Sequence, residues 1–382
     1  MNADYIPLII GSLVLISSLI SLRIGLSVAI IEILLGAIAG NFGLGTQNWM
    51  LYLANFGGII LTYLAGTEID TKLMRDNFKE SMLIGSFSFL LPFLGTFFFV
   101  FYVSHWTLQG SLIAGCALST TSLAVVYSVL VETGLSSTTI GKKIMSATFI
   151  TDMGTALSLS ILFIKPTLFT LLFIGVSIIL IVIFYKYSIY VLRNPRWSNK
   201  VIEPEIKFIF LVLLAFIYFA KLGDGHAVLP AFILGMLMSK HFKEQRKTVS
   251  IRNKLRTVAY AIVTPIFFIV GGMKISFTLL YSVAGLFLIL FFIKLILKFI
   301  GVYFFAKRYM PNGSIYTTLL MSTGLTFGTI SSMYGLQAGF INQVQYSLLV
   351  GVVLASAIIP TFIAQKWFVP KHLEDIVENG DQ

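Results

Sequence analysis

One carboxylate lies inside an apolar stretch that is long enough to cross a membrane. Asp152 stands near the middle of residues 141–164, and a membrane-crossing helix needs about 20 residues. A charge at that depth costs about 2.5 kcal/mol or more, so such a residue normally faces a water-filled cavity and binds an ion or a proton. Helical spacing puts Thr148, Asp152 and Thr155 on one face. This stripe of oxygen atoms predicts half of a cation and proton site; the alternative is a buried Asp satisfied by neighbouring hydroxyl groups.

Hydroxyl groups interrupt two further apolar stretches. The first interruption lies within residues 118–122, and the second lies within residues 322–326 in the same relative place of a later stretch. An unwound turn exposes carbonyl and hydroxyl oxygens that can replace the hydration shell of an ion, and it is tolerated only where it lines a cavity. Ser and Thr also allow helices to pack closely, which is the alternative interpretation. The matching placement of the two interruptions favours two broken helices.

The composition is that of a polytopic membrane protein. Hydrophobic residues make up 57% and charged residues 11% of the chain, whereas a soluble protein carries about 25% charged residues. The single cysteine, Cys116, excludes an internal disulfide and a cysteine metal site. The first apolar segment lacks a basic n-region and a small-residue cleavage site, which predicts a first span rather than a signal peptide. The net charge of +11 predicts cytoplasmic loops that face anionic lipid, with no nucleic-acid partner.

Apolar runs bounded by turn residues and charges predict an all-α fold with about thirteen transmembrane helices. The predicted spans are 6–22, 27–40, 50–66, 80–102, 110–130, 141–164, 167–187, 205–220, 227–238, 258–272, 279–306, 316–335 and 346–367. With the N-terminus outside, most of the 27 Lys and Arg residues fall on the cytoplasmic side, including the basic segment 240–256 between the ninth and tenth spans. The positive-inside rule therefore predicts an extracellular N-terminus and a cytoplasmic C-terminus.

The seventh span divides the chain into two halves. Repeat 1 covers about residues 5–164, the linker helix 167–187, repeat 2 about 205–367, and a short cytoplasmic tail 368–382. Because the linker crosses once after an even number of spans, the second half is inverted. The organisation predicts two inverted repeats whose discontinuous helices cross at the midplane. The tail is too short for a soluble nucleotide-binding domain, and no cofactor is predicted.

At these residues the chain resembles the cation:proton antiporter superfamily, on the branch of Kef-type and bacterial sodium/proton exchangers. The matching segments, in the family's order, are EILLGAIAG at 32–40, LAGTEID at 64–70, STTS at 119–122, LVETG at 130–134 and PIFFIVGGMK at 265–274. Thr67 stands in place of the usual Leu, and two further departures from the family pattern matter for function. Thr151 stands where electrogenic members carry the first of two adjacent acids, and Ser322 to Gly324 stand where members often carry an Arg. Both departures bear on stoichiometry, and the first also on ion selectivity.

The resemblance implies a carrier that binds either a proton or a monovalent cation at Asp152. Na⁺ is the expected cation, with K⁺ or Li⁺ as alternatives, since hard oxygen ligands suit these ions. The resemblance also implies that spans four to six and eleven to thirteen move as a core against a scaffold that forms a homodimer. The predicted ion- and proton-binding residues are Asp152, Thr151, Thr121, Thr120, Thr148 and Glu68, with Asp152, Thr121 and Thr148 as cation ligands and Ser119, Ser122, Ser322, Thr323 and Gly324 in the broken helices.

The family's core lysine matches Lys298, and Lys294 one turn away is the alternative. A second interpretation of Lys298 is a lysine whose charge reaches the inner interface. For Glu68 the alternative is an interfacial ion pair with Lys72, and Glu32 is interpreted as structural. Because Thr151 cannot ionise, we expect one cation to exchange for one proton without net charge movement.

Three other functions compete with exchange. A sodium-coupled organic anion symporter would use similar broken helices around a larger substrate cavity. An intramembrane enzyme is disfavoured because the sequence has no HExxH motif and no Ser/His pair at matching depth, so we predict no enzyme activity. A gated cation channel is the third, and it would show single-channel currents.

Overall fold

The computed structural model describes residues 5–69, 75, 78–136, 138–163, 168–193, 202–223, 226–244 and 246–370. All regular structure within these ranges is helical. The helices are α1 (Ile6–Ile24), α2 (Val28–Asn41), α3 (Asn48–Glu68), α4 (Phe78–Tyr102), α5 (Leu108–Ser119), α6 (Leu123–Glu132), α7 (Thr139–Ile161), α8 (Leu168–Arg193), α9 (Pro204–Leu222), α10 (Val228–Glu244), α11 (Arg246–Val258), α12 (Thr264–Met273), α13 (Phe277–Ser282), α14 (Ala284–Tyr309), α15 (Ser314–Met321), α16 (Thr326–Gln337) and α17 (Gln343–Trp367).

The predicted all-α membrane fold is confirmed. Within the described ranges, nine helical segments are long and apolar enough to cross a membrane, and two shorter apolar helices, Val28–Asn41 and Val228–Ser239, accompany them. The two expected discontinuities are present, because α5 and α6 are separated at residues 120–122 and α15 and α16 at residues 322–325. The count of thirteen spans and the boundaries of the two repeats stay predictions.

The chain forms two compact units that each draw on distant segments. Unit 1 contains Met1–Leu19, Glu32–Thr71 and Ala156–Met273, and unit 2 contains Ile20–Ile31, Lys72–Thr155 and Lys274–Gln382. The residues that were predicted to bind ions fall in unit 2, apart from Glu68 in unit 1. The candidate ion site is therefore built from unit 2.

Glycines bring helices of unit 1 into backbone contact. A Cβ atom on Gly36 or Gly40 would collide with the carbonyl oxygen of Ile269 or Met273, so only glycine permits the approach of α2 to α12. The predicted EILLGAIAG segment thus has a structural reason for two of its glycines. Such close packing of small residues is a common way for helices to associate in membranes.

The described residues of the basic segment between the ninth and tenth predicted spans are helical. They form the end of α10 and all of α11, and a π-helical turn, Ala259–Val263, joins α11 to α12. Pro265 at the second position of α12 lacks an N–H, and its ring would clash with the carbonyl four residues earlier in a regular helix. The proline therefore gives a physical reason for the wider π turn just before it.

Candidate ion site

The predicted stripe of oxygen atoms on α7 is buried. Thr148, Thr151 and Thr155 are 0% exposed and Asp152 is 2% exposed. Each threonine hydroxyl donates to a carbonyl of its own helix: Thr148 to Ile144 at 2.9 Å, Thr151 to Thr148 at 2.7 Å and Thr155 to Thr151 at 3.0 Å. Since the hydroxyl protons are engaged within the helix, the oxygen lone pairs are available to a cation or to another donor.

Helix α4 lies alongside α7 and runs parallel to it. A Cβ atom on Gly85 would lie 2.5 Å from the Cβ of Ile150, and one on Gly154 would lie 3.1 Å from the ring of Phe89. The residue numbers rise together along the two helices, and this register places Ser88 level with the carboxylate of α7. Ser88 itself is 0% exposed, so its hydroxyl needs a partner inside the protein.

That partner is Lys298, which enters from α14. Its Nζ atom donates to Ser88 Oγ at 2.9 Å and to Thr121 Oγ1 at 3.0 Å. The side chain is 0% exposed, so the interpretation of Lys298 as a lysine that reaches the interface is wrong. Among the described residues, Lys294 and Asp152 are the charged side chains near enough to interact electrostatically with Lys298. The ammonium thus lies in the electrostatic field of the buried carboxylate and is held by two hydroxyl oxygens.

The two interrupted helices meet at their breaks. The backbone N–H of Ser122 donates to the carbonyl of Thr323 at 3.1 Å, and Thr121 Oγ1 donates to the carbonyl of Met321 at 2.9 Å. Thr121 therefore links Lys298 to the C-terminal end of α15, where carbonyl groups lack intrahelical partners. Thr148 Oγ1 also approaches Met321 Sδ at 3.5 Å. The second break thus contacts the first break, and the end of α15 contacts the stripe on α7.

The remaining hydroxyls of the breaks close the ends of their own helices. Each donates to a carbonyl three or four residues earlier: Ser119 to Cys116, Thr120 to Ala117, Ser322 to Thr318 and Thr323 to Leu320, at 2.7–3.1 Å. These bonds satisfy carbonyls that a helix terminus otherwise leaves free. At the start of α6, Ser122 Oγ accepts from Val125 N–H at 3.4 Å and acts as the N-cap.

Two predicted features lie apart from this arrangement or outside the described residues. Glu68 belongs to unit 1, where its carboxylate lies 3.6 Å from Arg256; its participation in ion binding stays a prediction. Lys72, the alternative partner of Glu68, lies outside the described residues. Ser88 is a functional candidate that the sequence interpretation missed. It lies between Phe87 and Phe89 in α4, but its partner is 210 residues away, and a single sequence carries no signal for such a pair.

The chemistry of the site suits one small monovalent ion. It offers a single carboxylate together with hydroxyl and carbonyl oxygens. Among the described residues there is no group of three or more His, Cys, Asp or Glu side chains that could hold a metal ion. Divalent and transition metals need several anionic or nitrogen and sulfur ligands, whereas a proton or an alkali cation can be bound by one carboxylate with neutral oxygens.

Comparison with known proteins agrees with this chemistry. The profile of the family described as sodium/hydrogen exchanger, transmembrane, matches residues 10–368. The chain is 28% identical to the probable Na⁺/H⁺ antiporter 3 of Methanocaldococcus jannaschii, over 88% of this chain and 89% of that protein. It is also 28% identical to the Na⁺/H⁺ antiporter of Enterococcus hirae, over 93% and 95% of the two chains. The solved structure of the sodium proton antiporter MjNhaP1 from M. jannaschii has a similar fold, with a TM-score of 0.69 at 14% identity, over 95% and 98% of the chains.

Proposed function

The chain belongs to the transmembrane sodium/hydrogen exchanger family, and from that premise we propose that it exchanges a monovalent cation for a proton by alternating access. Na⁺ is the first candidate, because the relatives above are named as Na⁺/H⁺ antiporters. K⁺ is the second, because a relative from Bacillus cereus, 25% identical over 89% of this chain, is named as an Na⁺/H⁺-K⁺ antiporter. Li⁺ is the third, since it prefers the same hard oxygen ligands.

The observation that carries the proposal is the buried Asp152 carboxylate, with the Lys298 charge acting on the same region of unit 2. A carboxylate at this depth is costly unless a cation or a proton neutralises it. A proton and a cation compete for the same oxygen atoms, so one leaves only when the other arrives. This competition couples the two fluxes without a second binding site. Thr148 and Thr151 share the helix of Asp152, and Thr121 contacts Lys298, so their hydroxyl groups are the proposed neutral oxygen ligands.

The same residues favour electroneutral exchange. Thr151 precedes the carboxylate and cannot ionise, so Asp152 is the one acidic side chain in the predicted ligand set of unit 2. One positive charge then replaces one positive charge, and the loaded protein carries the same charge in both directions. Lys298 is proposed to keep one protonation state throughout the cycle, since its two hydroxyl partners hold it in place.

The orientation of the chain in the membrane and its assembly into a dimer are also part of the proposed function. The N-terminus is proposed to be extracellular and the C-terminus cytoplasmic, because the basic residues then face the inner leaflet. Unit 2 contains predicted spans four and five, most of six, and spans eleven to thirteen, which the resemblance assigns to the moving core. The homodimer is proposed for the scaffold of unit 1, and crosslinking in membranes tests it.

Exchange in proteoliposomes tests the function directly. A pH indicator inside the vesicles reports proton movement when Na⁺, K⁺ or Li⁺ is added in turn, first with the parent protein. Asp152→Asn is expected to lower cation-dependent proton movement about 100-fold or more, because the amide has no charge for a cation or a proton to neutralise. The matched control is Glu32→Gln, which alters another carboxylate that is 2% exposed but that we assign a structural role.

Three outcomes contradict parts of the proposal separately. A parent protein that moves no protons with any of the three cations contradicts exchange itself. Parent-level exchange in Asp152→Asn removes Asp152 from the mechanism. Exchange of Na⁺ that speeds up or reverses when valinomycin and K⁺ impose a voltage contradicts one-for-one stoichiometry, provided that K⁺ is shown not to be transported.

A further inference from the structure

A second lysine ammonium is buried beside the second break. Lys294 lies one turn before Lys298 on α14 and is 0% exposed. Its Nζ atom reaches the backbone of Gly324 so closely that a Cβ atom there would collide with it; the same Cβ would lie 3.0 Å from Thr120 Oγ1 and 3.3 Å from the Thr120 carbonyl oxygen. Gly324 is therefore the residue type that leaves room for the ammonium.

The Lys294 ammonium differs from its neighbour in its contacts. Lys298 donates two hydrogen bonds, whereas Lys294 Nζ has no hydrogen-bond acceptor among the described residues. An isolated ammonium in a protein interior costs several kcal/mol unless its surroundings compensate the charge. Lys298 adds a second positive charge one turn away. The compensation for Lys294 has to come from dipoles and oxygen atoms at the break.

The break supplies the surroundings of a cation. Thr120 is the C-cap of α5, and Gly324 follows closely on the end of α15. Each helix C-terminus carries roughly half a negative charge. The hydroxyls of Thr120 and Thr323 donate to their own helices at 3.1 and 2.8 Å, so their lone pairs remain as acceptors. Lysine ammonium groups and alkali cations are stabilised by the same negative helix ends and oxygen atoms.

We propose that Lys294 is a tethered cation that occupies the second break and thereby limits the protein to one transported cation per cycle. The inference rests on the proposed function. Asp152 takes the transported ion, while the second break offers similar oxygen chemistry but is filled by a side chain of the protein. Lys294 is thus a residue that determines stoichiometry, in a role distinct from that of Lys298.

The proposal predicts a gain of binding when the ammonium is removed. Lys294→Met keeps the length and apolar stem of the side chain but leaves the break without its cation. Purified protein is expected to bind about two Na⁺ where the parent binds about one, and the Hill coefficient for Na⁺-driven exchange is expected to rise from about one towards two. Exchange by the variant is expected to respond to an imposed voltage, because an extra positive charge then accompanies each cycle.

Two variants serve as matched controls. Lys294→Arg keeps the positive charge and is expected to bind one Na⁺, as the parent does. Lys298→Met removes the neighbouring charge on the same helix and is expected to create no second Na⁺ site, because Lys298 contacts Ser88 and Thr121 rather than Gly324. Binding is measured on purified protein with radioactive Na⁺, so the count does not depend on transport activity.

The outcomes separate this inference from the proposed function. If the parent shows no Na⁺-dependent proton movement, the proposed function is contradicted. If the parent exchanges normally but Lys294→Met still binds one Na⁺ with an unchanged Hill coefficient, only the inference that Lys294 is a tethered cation is overturned. Lys294→Gln is the second variant if Lys294→Met does not fold. If both neutral variants unfold while Lys298→Met folds, Lys294 serves the stability of the break and the inference is likewise overturned.

Discussion

Two groups of charged residues in this protein differ in burial and therefore in what their charges cost. The inner cluster of unit 2 consists of Asp152, Lys294 and Lys298, whose side chains are 0–2% exposed. The α11 pairs of unit 1 are Glu203–Lys254 at 2.6 Å and Glu68–Arg256 at 3.6 Å, with side chains that are 24–38% exposed. Partly exposed pairs are screened by water and contribute about 0–1 kcal/mol each, whereas buried charges cost several kcal/mol. Substitutions in the inner cluster should therefore alter exchange, and those in the α11 pairs should alter stability alone.

Among the uncharged neighbours of the inner cluster, the largest effect is expected at Thr121. Thr121→Val removes the oxygen that accepts from Lys298 and the hydroxyl that donates to the Met321 carbonyl. A hydrogen bond to a charged group contributes about 1.5–3 kcal/mol, so the Na⁺ concentration for half-maximal exchange should rise about tenfold or more. The measurement is the Na⁺ dependence of proton movement in proteoliposomes.

Two substitutions control for packing at this position. Thr121→Ser keeps the hydroxyl and should retain most of the parent affinity. Thr148→Val removes a hydroxyl that bonds to Ile144 within α7 and reaches only the weak acceptor Met321 Sδ outside it, so its effect should be smaller than that of Thr121→Val. Equal effects of the two valine variants would mean that the contact between Thr121 and Lys298 adds nothing to ion binding.

The sequence predicts the inner cluster in part. Because burying a charge is costly, charged residues are rare in apolar segments, and each one can be found by reading along the chain. Asp152 stands out against its apolar segment, and the hydroxyl clusters at 119–122 and 322–324 mark breaks that the structure contains. The chemistry of unsatisfied backbone explains why: a break inside a membrane needs local hydroxyl groups to close its helix ends. These features depend on residues that are neighbours in the chain, so they can be recognised from the sequence alone.

Pairings across the fold were not predictable. Ser88 and Lys298, or Lys294 and Gly324, meet only because α4, α14 and the second break pack together. The periodicity of α14 gave both lysines the same face but could not say which would reach hydroxyl groups and which would reach a glycine. The partner of Glu68 was likewise missed: Arg256 lies on a helix that the sequence presented only as a basic segment between spans.

A smaller effect is expected in the α11 pairs. Glu68→Gln removes the negative partner of Arg256, and because both side chains are partly exposed the free energy of unfolding should fall by only about 0.5 kcal/mol. Exchange should keep the parent's Na⁺ dependence. Thermal unfolding in detergent and exchange in proteoliposomes provide the two readouts, and Arg256→Gln is the matched control. A rise in the Na⁺ requirement that occurs in Glu68→Gln and not in Arg256→Gln would support the prediction that Glu68 takes part in ion binding.

The smallest effect on exchange is expected at His226, in the loop between α9 and α10 of unit 1. Burial lowers the pKa of His226 from 6.5 to about 4, because the surroundings disfavour the charged imidazolium. The side chain is therefore neutral at every pH above about 5. His226→Asn should leave the pH profile of exchange between pH 6 and pH 9 where the parent has it, since no proton binds to this imidazole in that range.

His226 should instead affect the stability of the folded state in acid. In the unfolded chain the imidazole takes up a proton below about pH 6.5, while the folded state resists protonation until about pH 4. The unfolded state therefore binds more protons in this window, and the stability of the parent falls as the pH falls through it. His226→Asn lacks this loss and should lose less thermal stability than the parent between pH 7.5 and pH 5, by about 1–2 kcal/mol. Equal acid sensitivity of the two proteins would contradict the buried neutral imidazole. A shifted exchange profile would mean that a titrating group of unit 1 takes part in transport, and the contrast between the inner cluster and the α11 pairs would no longer separate transport from stability.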